Sequence, residues 1–347
     1  MVQEISVSEA LTLPGAVFVD VRSPSEYEQA CIPGAFNIPL LSDEERAEIG
    51  KVYHQHSPEK AKMLGLEMVS PRLGQLVEKY QERSAGRPVV IYCWRGGLRS
   101  HSVAAVLELV GIPVFCLAGG YKAYRKLVTE YLYQLPLKPT VVVLHGLTGV
   151  GKTEVLGALD GIGVATVDLE GAACHRGSVF GDIGMGAQPS QKAFESSLFH
   201  RLKAMDTEPF LVTECESRKI GRLFVPPSLF EAMNQGGHIL LFTDIRHRVD
   251  RLLEIYHSGG TRNQAEIIDS IKQLTPRLGH KTANSLVDGV VAGNLELVVE
   301  TLLTQYYDPL YGYPDKPGGL FDLCVDSSDI GSAAQVIKQY LTGKLGL

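Results

Sequence analysis

Two α/β domains in series are what this chain of 347 residues predicts, and three observations predict them. Short apolar runs rich in Val, Ile and aromatic residues, such as AVFVDV (16–21) and PVVIYC (88–93), alternate with helical patterns. That alternation belongs to a mostly parallel sheet with helices on its faces. The stretch QLPLKPT (134–140) then breaks the pattern with two prolines, and a second alternating series starts directly after it. The length also exceeds what one hydrophobic core usually organises. The boundaries read as 1–135 and 140–347.

In the first domain, LRSHSVAAVLELVG (98–111) reads as a helix ending on Gly111, and PVFCLAGG (113–120) adds a further strand. In the second, TVVVLHG, GVATVDL, EPFLVTE, HILLFTD and LFDLCVDS are the strand candidates. Between the last two lies a stretch of about 246–310 with helical periodicity, which reads as a helical insertion.

Composition narrows the class. Hydrophobic residues at 45% and charged residues at 21% describe an ordinary globular protein. No run approaches the roughly 18–20 apolar residues of a membrane span. The opening MVQEISVSEALTLPG has acids and no basic segment before an apolar one, unlike a secretory signal. Six scattered cysteines without a C-x-x-C pair argue against a zinc site or a disulfide framework, and no metal ligands are expected. A reducing cytoplasm is the expected location. A net charge of −6 leaves any RNA binding to a local basic surface.

The segment CWRGGLRSHS places Cys93 at a strand end, before two glycines, Arg95, Arg99 and a helix. A strand–loop–helix turn aims loop amides and the positive helix end at whatever sits over the loop. Such a field favours a thiolate, and Arg99 could clamp an oxyanion bidentately. The plainer alternative is a buried strand-end cysteine beside a turn.

In HGLTGVGKTEVL, residues 146–153 fit G-x-x-x-x-G-K-[ST] between an apolar strand and a helix. Amides around Gly146, Gly149 and Gly151 would cradle phosphates, Lys152 would reach the terminal ones, and Thr153 is of the kind that ligates magnesium. Such a loop indicates a diphosphate or triphosphate without naming ATP. Glu214, at the end of PFLVTE, is a candidate metal-orienting acid, with Glu216 next; Asp168 could orient substrate or magnesium. Each could equally be a solvated strand-end carboxylate.

Several motifs carry a resemblance. DVRSPSEYEQACIPGAFNIP (20–39) and LAGGYKAY (117–124) resemble the rhodanese family over most of residues 1–135. The resemblance implies that Cys93 is a chalcogen-carrying nucleophile, as a persulfide or perselenide. The cysteine-to-arginine loop has seven members, like that of related phosphatases, which would suit a phosphate derivative. The histidine that often precedes I-P-G-A in that family is Cys31 here, a packing substitution rather than a second nucleophile. With DLEGAACHRGSVFG (168–181), ECESRKIG (214–221) and YYDPLYGY (306–313), the whole chain resembles the tRNA 2-selenouridine synthase family.

That resemblance implies a transferase with a P-loop NTPase-like second domain. Its tRNA partner carries 2-thiouridine at the wobble position. The sulfur is geranylated by geranyl diphosphate, and selenium from selenophosphate then replaces the geranylthio group. No tightly bound cofactor is expected, magnesium being at most a companion of the diphosphate. His175, Arg176 and Arg218 would assist phosphate or uridine binding, unless they are ordinary exposed charges at loop starts. Arg246, Arg248 and Arg251 do not share one helical stripe and read as a solvated face. Tyr306, Tyr307, Tyr311 and Tyr313 either stack a base or pack a helix end. Two other functions stay open: a sulfurtransferase fused to a small-molecule kinase, and a non-catalytic nucleotide sensor.

Overall fold

A computed structural model describes residues 2–177, 180–181, 185–257, 261–311, 313 and 319–345. Ser178 and Val179 of the 168–181 motif, Gly312 of the 306–313 motif and residues 258–260 of the helical stretch lie outside the described residues. The chain divides into two compact units, Met1–Gln134 with Glu195–Ser197, and Leu135–Phe194 with Leu198–Leu347.

The first unit contains strands β1 (Gln3–Ile5), β2 (Val17–Asp20), β3 (Phe36–Asn37), β4 (Val89–Tyr92) and β5 (Val114–Leu117). They form a parallel sheet in the order β1-β5-β4-β2-β3. Every residue of the central β4 is buried, as a strand covered on both faces requires, so it reads as a continuous apolar run rather than an alternation. The edge strands β1 and β3 have three and two residues, too few to show a period in sequence. Helix Leu98–Leu109 returns the chain from β4 to β5, and Gly111 beyond it takes φ +77°.

The D-V-R motif is a buried pair. Arg22 is 2% exposed, donates to Asp20 through Nε at 3.0 Å and Nη2 at 2.6 Å, and gives a further bond to Ala30 O at 2.7 Å. Its guanidinium lies 4.1 Å from the Tyr121 ring centroid, so the 20–22 and 117–124 motifs meet in one core.

The second unit holds β6 (Thr140–His145), β7 (Thr166–Val167), β8 (Phe210–Glu214), the short hairpin of β9 (Lys219–Ile220) and β10 (Leu223–Phe224), then β11 (Gly237–Phe242) and β12 (Leu323–Asp326). The five-stranded sheet is parallel with order β12-β11-β6-β8-β7, which centres β6 and its following loop. Between β11 and β12 run helices from Ile245–His257 to Leu295–Leu302, a π-helical turn Leu303–Tyr307, and Asp308–Tyr311. Their apolar faces close on a separate cluster that includes Ile271, Leu286, Val299 and Leu303. Among the described residues, no helix is long and apolar enough to cross a membrane.

Candidate functional site

Cys93 leaves the C-terminal end of β4 at 4% exposure. Its Sγ accepts the Gly97 N–H at 3.2 Å and lies 3.3 Å from Ser100 Oγ. Burial pushes the thiol up, yet hydrogen bonds from the Ser100 hydroxyl and from the Ser100, Gly97 and Arg95 amides outweigh it. The net pKa is below the ordinary thiol value, so the loop favours the thiolate. Ser100 Oγ also lies 3.0 Å from Gly97 O, so its single proton can serve the carbonyl or the sulfur.

The loop is shaped by the glycines of LAGGYKAY. Tyr121 N donates to Cys93 O and Lys122 N to Trp94 O, each at 2.9 Å, pinning the first peptide planes after β4. Arg95, whose amide bonds the sulfur, has an exposed side chain. Arg99, expected to clamp an oxyanion, donates to Glu26 Oε2 at 2.8 Å. Burial raises the Glu26 pKa, but the hydrogen bond and charge of Arg99, with the Ser23 amide and the Arg46 charge, together outweigh it, and the carboxyl sits below its usual range. Glu26 belongs to the first sequence motif, and its pairing with Arg99 was not legible there. Cys31 is half-buried and its thiol is pushed up by burial, as a packing cysteine would be.

In the second unit, residues 146–151 loop from β6 into helix Lys152–Gly161. Lys152 Nζ donates to Gly146 O at 3.0 Å, and Thr153 Oγ1 donates to Glu170 Oε2 at 3.3 Å. Glu170 N in turn donates to Glu214 Oε1 at 2.8 Å. Asp168 caps the next short helix, accepting from Gly171 N at 2.7 Å. Glu214 is fully buried rather than solvated, and its Oε2 has no partner. Burial, then the nearby Asp168 charge, raise its pKa well above the carboxylate range, so the neutral acid is favoured. Burial also raises the Glu216 pKa, as does the adjoining Glu170 carboxyl, while Lys152 opposes the shift. Among the described residues, no group of three or more His, Cys, Asp or Glu side chains is arranged to hold a metal ion.

These residues surround a cavity of about 410 Å³ lined by Gly146, Gly149, Gly151, Lys152, Thr153, Asp168, Arg176 and Glu216 among others. The apolar side chains Phe180, Met185, Leu252, Val299, Leu302 and Leu303 line it too, beside further polar ones such as Glu154, Glu170 and Arg251. Glu214, His175 and Arg218 do not line it; His175 Nδ1 accepts from Gly177 N at 3.1 Å, and Arg218 is exposed. Cys215, Tyr311 and Tyr313 do, although sequence reading gave Cys215 no role. Tyr313 donates to Cys215 Sγ at 3.4 Å and meets His145 Nδ1 at 3.1 Å. Tyr306 and Tyr307 are buried in the helical cluster, and Tyr307 also lines the cavity.

The arginines after β11 correct the sequence reading. Arg248 is 4% exposed, donates Nε–H to Thr148 O at 2.8 Å and forks onto Asp308. Arg251 donates to Val150 O at 2.9 Å. Only Arg246 keeps the solvated position expected of all three. The other two hold the loop, because unpaired carbonyls and a partly buried carboxylate there need donors.

Comparison with known proteins agrees with both units. A family model described as the tRNA 2-selenouridine synthase AAA domain matches residues 139–318, and a rhodanese-like domain model matches residues 6–127. A tRNA 2-selenouridine synthase from Pseudomonas syringae pv. syringae is 34% identical over 343 residues, covering 90% of this chain and 92% of its own length. One from Pseudomonas syringae pv. tomato is 35% identical with the same coverage. One from Cupriavidus necator is 35% identical over 332 residues, 87% of this chain and 89% of its own. On identity, coverage and the two matched domains together, the chain belongs to the tRNA 2-selenouridine synthase family.

Proposed function

We propose that the protein exchanges sulfur for selenium on the wobble 2-thiouridine of tRNA in two steps, with geranyl diphosphate and selenophosphate as donors. The observation that carries this reading is the cavity. The phosphate loop shares that cavity with the apolar side chains Phe180, Met185, Leu252, Val299, Leu302 and Leu303, here called its apolar arm, and their presence suits a hydrocarbon tail.

In the first step, the thiouridine sulfur attacks C1 of geranyl diphosphate. The C–S bond forms, the C–O bond breaks with its electron pair leaving on diphosphate, and the ring N3 proton is released. The loop amides and Lys152 oppose the charge that develops on the departing diphosphate, where preorganised donors act most strongly. Magnesium would supply further charge neutralisation there; it would be brought in with the diphosphate and held by Thr153.

In the second step, selenium from selenophosphate adds at C2, and the carbon–sulfur bond breaks. It is the C2–S bond that breaks, so the sulfur leaves as geranylthiol, a better leaving group than sulfide; water cleaves the Se–P bond, giving phosphate and the proton that the thiolate takes up. The Cys93 loop, with its thiolate and amides, is the site for the selenium donor, and the exposed Arg95 belongs to that loop.

Mass spectrometry of nucleosides from 2-thiouridine tRNA, incubated with the two donors singly and together, tests the scheme. Lys152→Ala should block the geranylated nucleoside, and Cys93→Ala should let it accumulate. Full selenation by Cys93→Ala would refute the role given to the thiol.

A further inference from the structure

The phosphate loop is held from behind by the helical segment that also walls the apolar arm. Arg248 Nε donates to Thr148 O at 2.8 Å, and Arg251 Nη1 to Val150 O at 2.9 Å. Ser327 Oγ adds a bond to Val150 O at 2.7 Å. In a trans peptide the carbonyl and the next N–H point in opposite directions. Holding these two carbonyls therefore fixes the N–H vectors of Gly149 and Gly151, two groups proposed to cradle the diphosphate. Gly149 has φ +83°, and a Cβ on it would lie 3.0 Å from Arg248 O, so the loop and the arginine are in direct contact.

Arg248 is itself set by Asp308, through Nη1–Oδ2 at 3.0 Å and Nη2–Oδ1 at 2.5 Å. Asp308 directly follows the π-helical turn Leu303–Tyr307. Leu303 and Tyr307 of that turn, with Leu302 before it, line the apolar arm. A π-turn is a rare departure from regular helix and tends to occur at functional sites. A rigid planar fork connects it to the loop amides.

We propose that Arg248 and Asp308 are positioning residues that couple filling of the apolar arm to the geometry of the phosphate loop. The substrate's tail, rather than its diphosphate alone, then brings the loop amides into line for bond cleavage. Binding energy from a remote part of the substrate is thereby used at the reacting end. This inference rests on the reading of the cavity as a prenyl diphosphate site.

The test uses the full chain and two probes, inorganic diphosphate and geranyl diphosphate. Calorimetry gives both affinities, and steady-state geranylation of 2-thiouridine tRNA gives kcat and KM. In the unaltered protein the tail should strengthen binding. Asp308→Asn should cut that tail advantage about tenfold and lower kcat, with diphosphate affinity changed less than about twofold. Arg248→Lys, which keeps the charge but loses the fork, should do the same. Leu302→Ala should reduce the advantage in the unaltered background and add little on top of Asp308→Asn. Equal weakening of both probes by Asp308→Asn and Arg248→Lys would show mere loop support and overturn the coupling. An intact tail advantage in both variants would overturn it too. If the unaltered protein showed no tail advantage, the prenyl reading would fall, and this inference with it.

Discussion

Gly120 packs on Gly96 so closely that a Cβ at position 120 would stand 2.4 Å from Gly96 N and 2.3 Å from Cys93 O. Gly120 also has φ +59°, in the left-handed region. The contact brings the 117–124 motif under the Cys93 loop and explains the second of its two adjacent glycines; the first has φ +69° and would place a Cβ 2.8 Å from Ala123 Cβ. Gly120→Ala should cost about 1–2 kcal/mol for the backbone conformation alone, with the clash added. Thermal unfolding would register the loss, and alkylation of Cys93 should slow as the displaced amides release the sulfur. Unchanged melting and alkylation would show that the loop does not depend on this contact.

Ser100 supplies the leading bond that lowers the Cys93 pKa against the opposing effect of burial. Ser100→Ala should therefore raise the thiol pKa and slow iodoacetamide labelling at neutral pH several-fold, while the fold persists. The readout is the labelling rate of Cys93 against pH. Its midpoint should move upward in the variant, and a downward or absent shift would contradict the assigned cause.

Glu214 offers a contrast between two substitutions. Glu214→Ala leaves the part-buried Glu170 N–H without its acceptor, a loss of about 1–3 kcal/mol. Glu214→Gln keeps an acceptor and should cost less than about 1 kcal/mol, since the native acid is favoured in its neutral form. A raised folded-state pKa means that the native protein loses stability as pH rises above the ordinary carboxylate value. The Gln variant should thus gain on the parent as pH increases in urea titrations. The reverse trend would mean that Glu214 is ionised in the fold.

His145 is lowered from 6.5 to about 4 by burial, by His238 at 2.9 Å and by Lys152. Between those values the unfolded chain binds a proton that the folded protein does not. Stability should therefore fall as pH drops from 6.5 toward about 4. His145→Gln should flatten that slope, as chemical denaturation at several pH values would reveal. An unaltered slope would assign the acid sensitivity to other groups.

Contiguous stretches carried what the sequence determined: the α/β class, β2, β4, β5 and the strands of the second sheet, and the two loops around Cys93 and Lys152. In each, a period or a spacing of neighbouring residues encodes a backbone turn, and that physics is local. The edge strands β1 and β3 escaped because three and two residues show no period.

Tertiary structure alone decided the company each loop keeps. Phe180, Leu252 and Leu302 become one wall only when separated segments fold together. Arg248 read as a solvated charge because its acid, Asp308, lies 60 residues away. Glu26 and Arg99 are likewise 73 residues apart. Burial and ion pairing depend on distance in space, and a sequence records only distance along the chain.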